Sequence, residues 1–219
     1  MLAFICLAWI GGASGCGSSN APDSSDTGDT DNPSTETTKF DLFESDDVTG
    51  ISGYSTFNEQ TTDISFKVPA NWEQKDQFSL NGIDYTGGSA VVWRGPRNSV
   101  TGAGYTALIL FIVPVTAGGT ATSTLENYAD VLKENRILGE GEATDDIDTE
   151  LGGEAAIETS IVNINPAELE YLGTSATNRQ ESWIVIQKGD YYIDIRYSAV
   201  DADYDTYLEA YTKAKETFQ

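Results

Sequence analysis

One cysteine carries the most specific chemistry in this 219-residue sequence. The chain has two cysteines, Cys6 and Cys16, no histidine, and a single methionine at Met1. Without histidine no imidazole titrates near neutral pH, and Ser–His–Asp and Cys–His mechanisms are excluded. A mature chain starting at an acylated Cys16 keeps no free thiol and forms no intrachain disulfide. It offers no soft ligand to zinc, copper, haem or an iron–sulfur cluster. What remains is oxygen chemistry, from 35 Asp and Glu against 12 Lys and Arg, for a formal net charge of −23. Two carboxylates facing each other across a cleft could hydrolyse a glycoside, and a tighter group could hold Ca²⁺. The same excess repels DNA, RNA and anionic headgroups, so neither nucleic acid nor a peripheral electrostatic hold on a membrane is expected. Its ordinary consequence is solubility, or tolerance of a salty medium that screens the repulsion.

The setting of Cys16 specifies its reaction. Residues 2–10 read LAFICLAWI, an unbroken apolar run. That is shorter than the ~20 residues a membrane-spanning helix needs. Small residues follow at 11–15, directly before Cys16, which is the pattern of an export leader. The stretch Ala13-Ser14-Gly15-Cys16 resembles the lipobox of bacterial-type lipoproteins. It departs from that pattern in having Ala13 where Leu is commoner, and in having no Lys or Arg before the apolar run. The resemblance implies a diacylglyceryl group on the Cys16 sulfur and cleavage between Gly15 and Cys16. Small residues suit a peptidase that holds an extended backbone in a narrow cleft.

The segment 17–50 contains SSNAPDSSDTGDTDNPSTETT and almost no apolar residue before Phe40. It cannot bury enough surface to offset its chain entropy, and reads as a disordered acidic tether spanning roughly 30 Å. A calcium loop built on Asp23, Asp26, Asp29 and Asp31 fails the EF-hand spacing. From Asp23 the sixth position is Gly28, but the third is Ser25 and the twelfth Ser34. The organisation expected is a leader at 1–15, a lipidated tether at 16–50 and a globular domain at 51–219.

Within that domain the hydrophobic period alternates between strand and helix. Residues 63–68 alternate polar and apolar as a half-buried strand, ended by Pro69 and Asn71 and followed by Trp72. Residues 89–94 form a second strand, with turn chemistry at 95–98. ALILFIV at 107–113 has the length of a strand buried on both faces. Ser123 is placed to cap a helix running to about Asn135, with Glu126 completing a capping box. Strands at 143–151 and 154–164 flank a hairpin turn at Gly152-Gly153. Residues 166–180 read as a loop or short helical insertion. Strands at 183–187 and 191–198 flank Lys188-Gly189-Asp190. In the second of these, Tyr191, Ile193, Ile195 and Tyr197 share one face, while Tyr192, Asp194, Arg196 and Ser198 share a face that reads as wetter. Asp201 or Asp203 caps a last helix, in which Tyr204, Tyr207, Leu208, Tyr211, Ala214 and Phe218 recur at helical spacing. Helices that separate groups of strands indicate an α+β fold with a mainly antiparallel sheet.

The ordered pieces ISFKVPANWE, ALILFIVPV with STLENYADVL, LGGEAAIET, WIVIQKGDYYIDIRYSA and YDTYLEAYTKAKETF cover most of 54–219. Together they resemble the PsbP family and the small extracytoplasmic lipoproteins that share its fold. The resemblance implies a central mainly antiparallel sheet with helices on both faces, an α/β/α sandwich, and a role in binding or assembly. The metal sites proposed for plant PsbP use histidine, which this chain lacks, so the resemblance extends to the fold and not to the photosynthetic role.

Trp72, Trp93, Trp183 and Tyr192 are candidates for a ligand-binding surface, with core packing as the competing reading. Asp145, Asp146, Asp148 and Glu150 form an acidic cluster that is either a Ca²⁺ site or a solvated loop. Arg94, Arg97 and Arg179 could grip an anion if they converge. No cofactor and no bound metal is expected. The function expected is a non-enzymatic accessory or binding domain, held outside the cell membrane by the Cys16 lipid and serving an envelope protein partner. A carboxylate-only hydrolase and a solute- or Ca²⁺-binding module are the alternatives.

Overall fold

The structure is a computed structural model and describes residues 48–76, 88–100, 104–117, 123–136, 142–164 and 179–219. Residues 1–47, with the leader, Gly15, Cys16 and most of the expected tether, lie outside the described residues, as do 165–178.

An eight-stranded sheet runs in the order β3 (Glu73–Asp76), β4 (Ser89–Arg97), β5 (Tyr105–Pro114), β10 (Tyr191–Val200), β9 (Arg179–Lys188), β8 (Glu154–Ile164). Two short strands, β6 (Glu142–Ala143) and β7 (Ile147–Leu151), share the outer side of β8. Every pairing is antiparallel. A separate hairpin joins β1 (Tyr54–Glu59) to β2 (Ile64–Pro69). The helices are α1 (Leu125–Arg136), α2 (Asp201–Tyr207) and α3 (Glu209–Glu216). The architecture is α+β with an antiparallel sheet, as the sequence predicts.

The apolar run at 107–113 forms the middle of β5 and is buried throughout. Successive side chains of a strand point to opposite faces. Leu108, Leu110 and Ile112 accordingly pack in one cluster with Phe66 of β2 and with Tyr204, Tyr211 and Ala214 of α2 and α3. Ala107, Ile109, Phe111 and Val113 pack in a second cluster with Tyr128, Ala129 and Leu132 of α1. These are called the α3-side and α1-side clusters below.

Glycine is required at two places that shape the sheet. Gly152 and Gly153 both adopt positive φ (62° and 86°) between the paired Leu151 and Glu154, the conformation of a two-residue type I′ hairpin turn. At Gly95 a Cβ would lie 2.6 Å from the Trp72 ring, so only glycine admits that ring against the backbone. The register shifts between Arg94 and Arg97, so the stretch 95–97 read as a turn is a bulge inside β4.

Three local expectations are corrected. Thr124, not Ser123, caps α1: its Oγ1 accepts from the Asn127 backbone N–H at 3.2 Å, while Ser123 Oγ accepts from the Asn127 side-chain amide at 3.5 Å. The expected last helix is divided into α2 and α3 at Leu208, and neither Asp201 nor Asp203 caps α2, because both lie inside its first turn and Val200 precedes it without a side-chain cap. Asp203 instead accepts from the Ser99 N–H at 2.8 Å and from the Ser99 hydroxyl, fastening the loop after β4 to α2. Finally, the face of β10 that reads as wetter is dry: Tyr192, Asp194 and Ser198 are fully buried and Arg196 is 1% exposed.

Candidate functional site

The pairing registers bring the charged residues of the central strands onto neighbouring positions of one face. Glu73, Arg94, Ala107, Ser198, Glu181 and Ile161 form one row across six strands. Val92, Ile109, Arg196, Trp183 and Thr159 form the next. Ala90, Phe111, Asp194, Val185 and Ile157 form a third. The apolar members of these rows belong to the α1-side cluster. Arg94, Arg179, Glu181 and Asp194 have no solvent exposure.

Two groups of polar contacts result. In the first, Arg196 donates to Asp194 Oδ2 through Nε at 2.7 Å and through Nη2, and its Nη1 lies 3.9 Å from Glu181 Oε1. Its guanidinium covers the Phe111 ring at 4.3 Å. In the second, three arginines converge on Tyr105. Arg94 and Arg97 lie 4.4 and 4.8 Å from the ring centroid, and Arg179 Nη2 donates to the Tyr105 carbonyl at 2.9 Å. The bulge after Arg94 turns Arg97 toward the same ring. Arg179 also donates to Ser198 Oγ from Nε at 3.3 Å, and Arg94 Nη2 meets Glu73 Oε2 at 2.5 Å.

Removing charges from water costs several kcal/mol per ion unless each is paired and hydrogen-bonded. Arg196 and Asp194 meet that condition while closed to solvent, and Glu181 faces the same guanidinium at 3.9 Å. Glu181 and Asp194, the buried carboxylates nearest one another in chemistry, both face Arg196 instead of a cleft. A glycosidase pair needs an open cleft between its acids. Three of the chain's five arginines, Arg94, Arg179 and Arg196, are sealed in this layer, matched in number by the buried acids Glu181, Asp194 and Asp203.

On the α3 side neutral hydroxyls sit between the strands and α2, and the Lys215–Glu158 ion pair lies half-buried beside them. Ser160, Ser182 and Tyr204 hydroxyls form a chain with successive separations of 2.5 Å, and Tyr197 donates to the Tyr204 carbonyl at 2.7 Å. Burial pushes the Tyr197, Tyr204 and Tyr211 phenols up, so they stay protonated donors.

The four aromatics proposed as a binding surface are interior residues, and that expectation is corrected. Trp72 (5% exposed) lies over Gly95 and donates from Nε1 to the Gly50 carbonyl at 3.1 Å. Trp93 (1%) donates to Gln74 Oε1 at 3.1 Å and packs edge-on against Phe57 and Phe66. Trp183 and Tyr192 are fully buried in the α1-side cluster, where Tyr192 stacks on Tyr128 with 4.3 Å between centroids. Their hydrophobic payload explains the placement: sheet centres take the largest side chains. Asn71 and Trp72 grip the chain just before β1. The Asn71 amide donates to the Thr49 and Gly50 carbonyls at 3.2 and 3.3 Å, and its Oδ1 accepts from Ser52 N–H at 2.9 Å.

Of the acidic cluster, Asp146 is engaged by Lys133 Nζ at 2.6 Å and by Thr159 Oγ1 at 3.0 Å, whereas Asp145, Asp148 and Glu150 are exposed. Among the described residues no group of three or more Asp, Glu, Cys or His is arranged to hold a metal ion. The arginines proposed as an anion grip do converge, around Tyr105. The sequence reading missed Glu181, Asp194 and Arg196 as a buried set. The signal available was position: two ten-residue strands joined by a tight turn fit the middle of a sheet, beside the apolar run 107–113 of β5.

No protein-family model matches the chain, and no curated protein matches it. Among solved structures the chain is similar to cyanobacterial PsbP (CyanoP) from Synechocystis sp. PCC 6803. The identity is 16%, covering 80% of this chain and 97% of that one, with a TM-score of 0.48. It is also similar to LpqN, involved in cell envelope biogenesis of Mycobacterium tuberculosis, at 14% identity over 77% of this chain and 91% of that one, TM-score 0.44. The Saccharomyces cerevisiae Ran-binding protein Mog1p is similar at 11% identity over 76% and 95%, TM-score 0.46. The PsbP likeness read from the sequence thus recurs among solved structures.

Proposed function

We propose that this chain is a lipid-anchored, extracytoplasmic binding protein whose domain at 51–219 engages an envelope protein without catalysing a reaction. In this reading residues 1–15 are a leader removed before Cys16, residues 16–50 tether the domain, and the sheet with α1 on one side and α2 and α3 on the other is an α/β/α sandwich. One observation carries the non-enzymatic part. Glu181, Asp194 and Arg196 are at most 1% exposed and face one another, so the buried charges serve the fold and leave recognition to the outer surface. Among the described residues no helix is long and apolar enough to cross a membrane.

The anchor is chemical, not electrostatic. The chain's net charge of −23 drives it away from anionic headgroups, so attachment must come from acyl chains. Each buried CH₂ contributes about 0.8 kcal/mol, and one acyl chain holds only marginally, whereas the two chains of a diacylglyceryl group on Cys16 suffice.

Membrane fractionation of wild type and Cys16→Ser tests the anchor. Wild type should sediment with membranes and the variant should not. Equal membrane attachment, or an intact mass showing an unmodified Cys16, would remove the anchor from the reading. Crosslinking of the intact lipoprotein in membranes tests the binding role, which fails if no envelope protein is recovered reproducibly.

A further inference from the structure

The two edges of the eight-stranded sheet are built differently. β3 is four residues long, and its side chains are taken up by β4: Glu73 pairs with Arg94, and Gln74 accepts from Trp93. Such a short edge of mixed charge is blunted against further pairing. β7 is open. It pairs with β8 on one side, and among the described residues no strand pairs with its outer side.

The type I′ turn at Gly152-Gly153 sets which backbone groups face outward. Leu151 and Glu154 close a two-residue hairpin and form a hydrogen-bonded pair. By alternation, Thr149 and Ile147 also direct their N–H and C=O toward β8, while Asp148 and Glu150 direct theirs to the outside. Side chains sort by the same alternation. Ile147 and Thr149 lie on the α3 side with Leu151, and Asp148 and Glu150 lie on the α1 side, opposite Ile157 and Ala155. Ile147 is 59% exposed, one of two large apolar side chains so placed among the described residues. Asp148 and Glu150 are exposed, while neighbouring Asp146 is already matched by Lys133.

We propose that β7 is a docking edge for an extended basic segment of a partner protein, which adds as a further antiparallel or parallel strand. Lys or Arg at every second position would face Asp148 and Glu150, and the alternating apolar residues would cover Ile147. Main-chain bonds from Asp148 and Glu150 supply affinity, and the alternation of charge and apolarity supplies register. A second copy of this chain is the wrong occupant. Antiparallel self-pairing sets acidic residues opposite acidic residues, between molecules that each carry a charge of −23. The proposal rests on the reading of the domain as a partner-binding module and names the kind of partner segment.

Fluorescence anisotropy with the full chain and a labelled peptide of alternating Lys and Val tests it. Wild type should bind at low salt, and Asp148→Lys with Glu150→Lys should weaken binding about tenfold or more, with an unchanged melting midpoint. Asp148→Pro removes an outward N–H without touching the β8 ladder, so it should weaken binding more than Asp148→Asn. Failure of wild type to bind would overturn the proposal. So would equal binding by the charge-reversed chain, equal effects of Pro and Asn, or equal binding of a peptide with its Lys and Val in separate blocks. The proposal and the broader reading also separate in membranes. If charge-reversed and wild-type lipoprotein capture the same envelope protein equally, the edge is wrong and the accessory role stands. If wild type captures none, the accessory role itself fails.

Discussion

The two sides of the central sheet are made from the same strands and hold different interiors. β10 directs Ile193, Ile195, Tyr197 and Ala199 into the α3-side cluster, and Tyr192, Asp194, Arg196 and Ser198 toward α1. β9 divides likewise, with Ile184 and Ile186 on one side and Glu181, Trp183 and Val185 on the other. Both sides are equally dry. On the α3 side the centre is aromatic and aliphatic, as where Phe57, Phe66 and Trp93 pack within 4.9 to 5.7 Å of one another, with the hydroxyl chain and the Lys215–Glu158 pair beside it. Such packing is non-directional and tolerates volume-conserving change. On the α1 side each charge depends on a specific partner, and loss of one strands another. The difference teaches that solvent exposure and polarity are separate properties of a strand face.

The largest expected effect breaks the α1 side at its centre. Arg196→Met should destabilise the protein by about 3–5 kcal/mol, because Asp194 and Glu181 lose the cation that compensates their burial. Ile195→Val, one residue away on the α3 side, should cost about 0.5–1.5 kcal/mol. Arg196→Lys should recover only part of the loss, since an ammonium cannot reproduce the two-point grip on Asp194. Urea unfolding of the three variants reads the comparison directly. If Arg196→Met unfolded at the wild-type midpoint, the distinction between the two interiors would fall.

A smaller effect is expected at the rim of the same layer. Tyr105→Leu removes the ring that Arg94 and Arg97 share, and each contact of this kind contributes about 0.5–2 kcal/mol. Tyr105→Phe keeps the ring face and should cost less than Leu. Equal losses for Leu and Phe in urea unfolding would mean that the ring face does not hold the arginines.

The α3 side was legible in the sequence, and the α1 side was legible only in half. The alternation of Ile193, Ile195 and Tyr197 states a buried face, and the helical spacing of Tyr204, Tyr211 and Ala214 states what covers it. The hairpin turns at Gly152-Gly153 and Gly189-Asp190 were readable from residue type, because positive φ is a local property. Asp194 and Arg196 misled because a charge carries no local sign of whether its partner is water or another residue. Burial there follows from non-local pairing with β5 and β9. The bulge at Gly95 was hidden for a similar reason: the Trp72 ring that requires it comes from another segment. Trp72, Trp93, Trp183 and Tyr192 were recognisable as large aromatics, but their depth was set by strand order. Cys16 rests on its sequence motif and lies outside the described residues.

The smallest effect sharpens the comparison from the α3 side. The β1–β2 hairpin supplies Ile64, Phe66 and Val68 to that cluster, and its turn is closed by Glu59. The Glu59 carboxylate accepts from the Thr61 N–H at 2.9 Å, the Thr62 N–H at 2.7 Å and the Thr62 hydroxyl at 2.6 Å. Partial burial pushes this carboxyl up, but the hydrogen bonds from Thr62 and Thr61 outweigh it and hold it below its ordinary value of 4.5. A carboxyl that is more acidic when folded stabilises the folded state above its unfolded value. That contribution is lost as pH falls through the folded value. Glu59→Gln should therefore lower the melting temperature slightly at neutral pH, and the gap to wild type should close as the solution is acidified below about 4.5. Amide exchange should locate the change in β1 and β2 and leave β9 and β10 as protected as before, because the Glu59 hydrogen bonds among the described residues lie within its own turn. A gap that stayed constant into acid would mean that the turn is held by packing instead of by charge. Both sides of the sheet would then differ in their polar groups without differing in their sensitivity to pH.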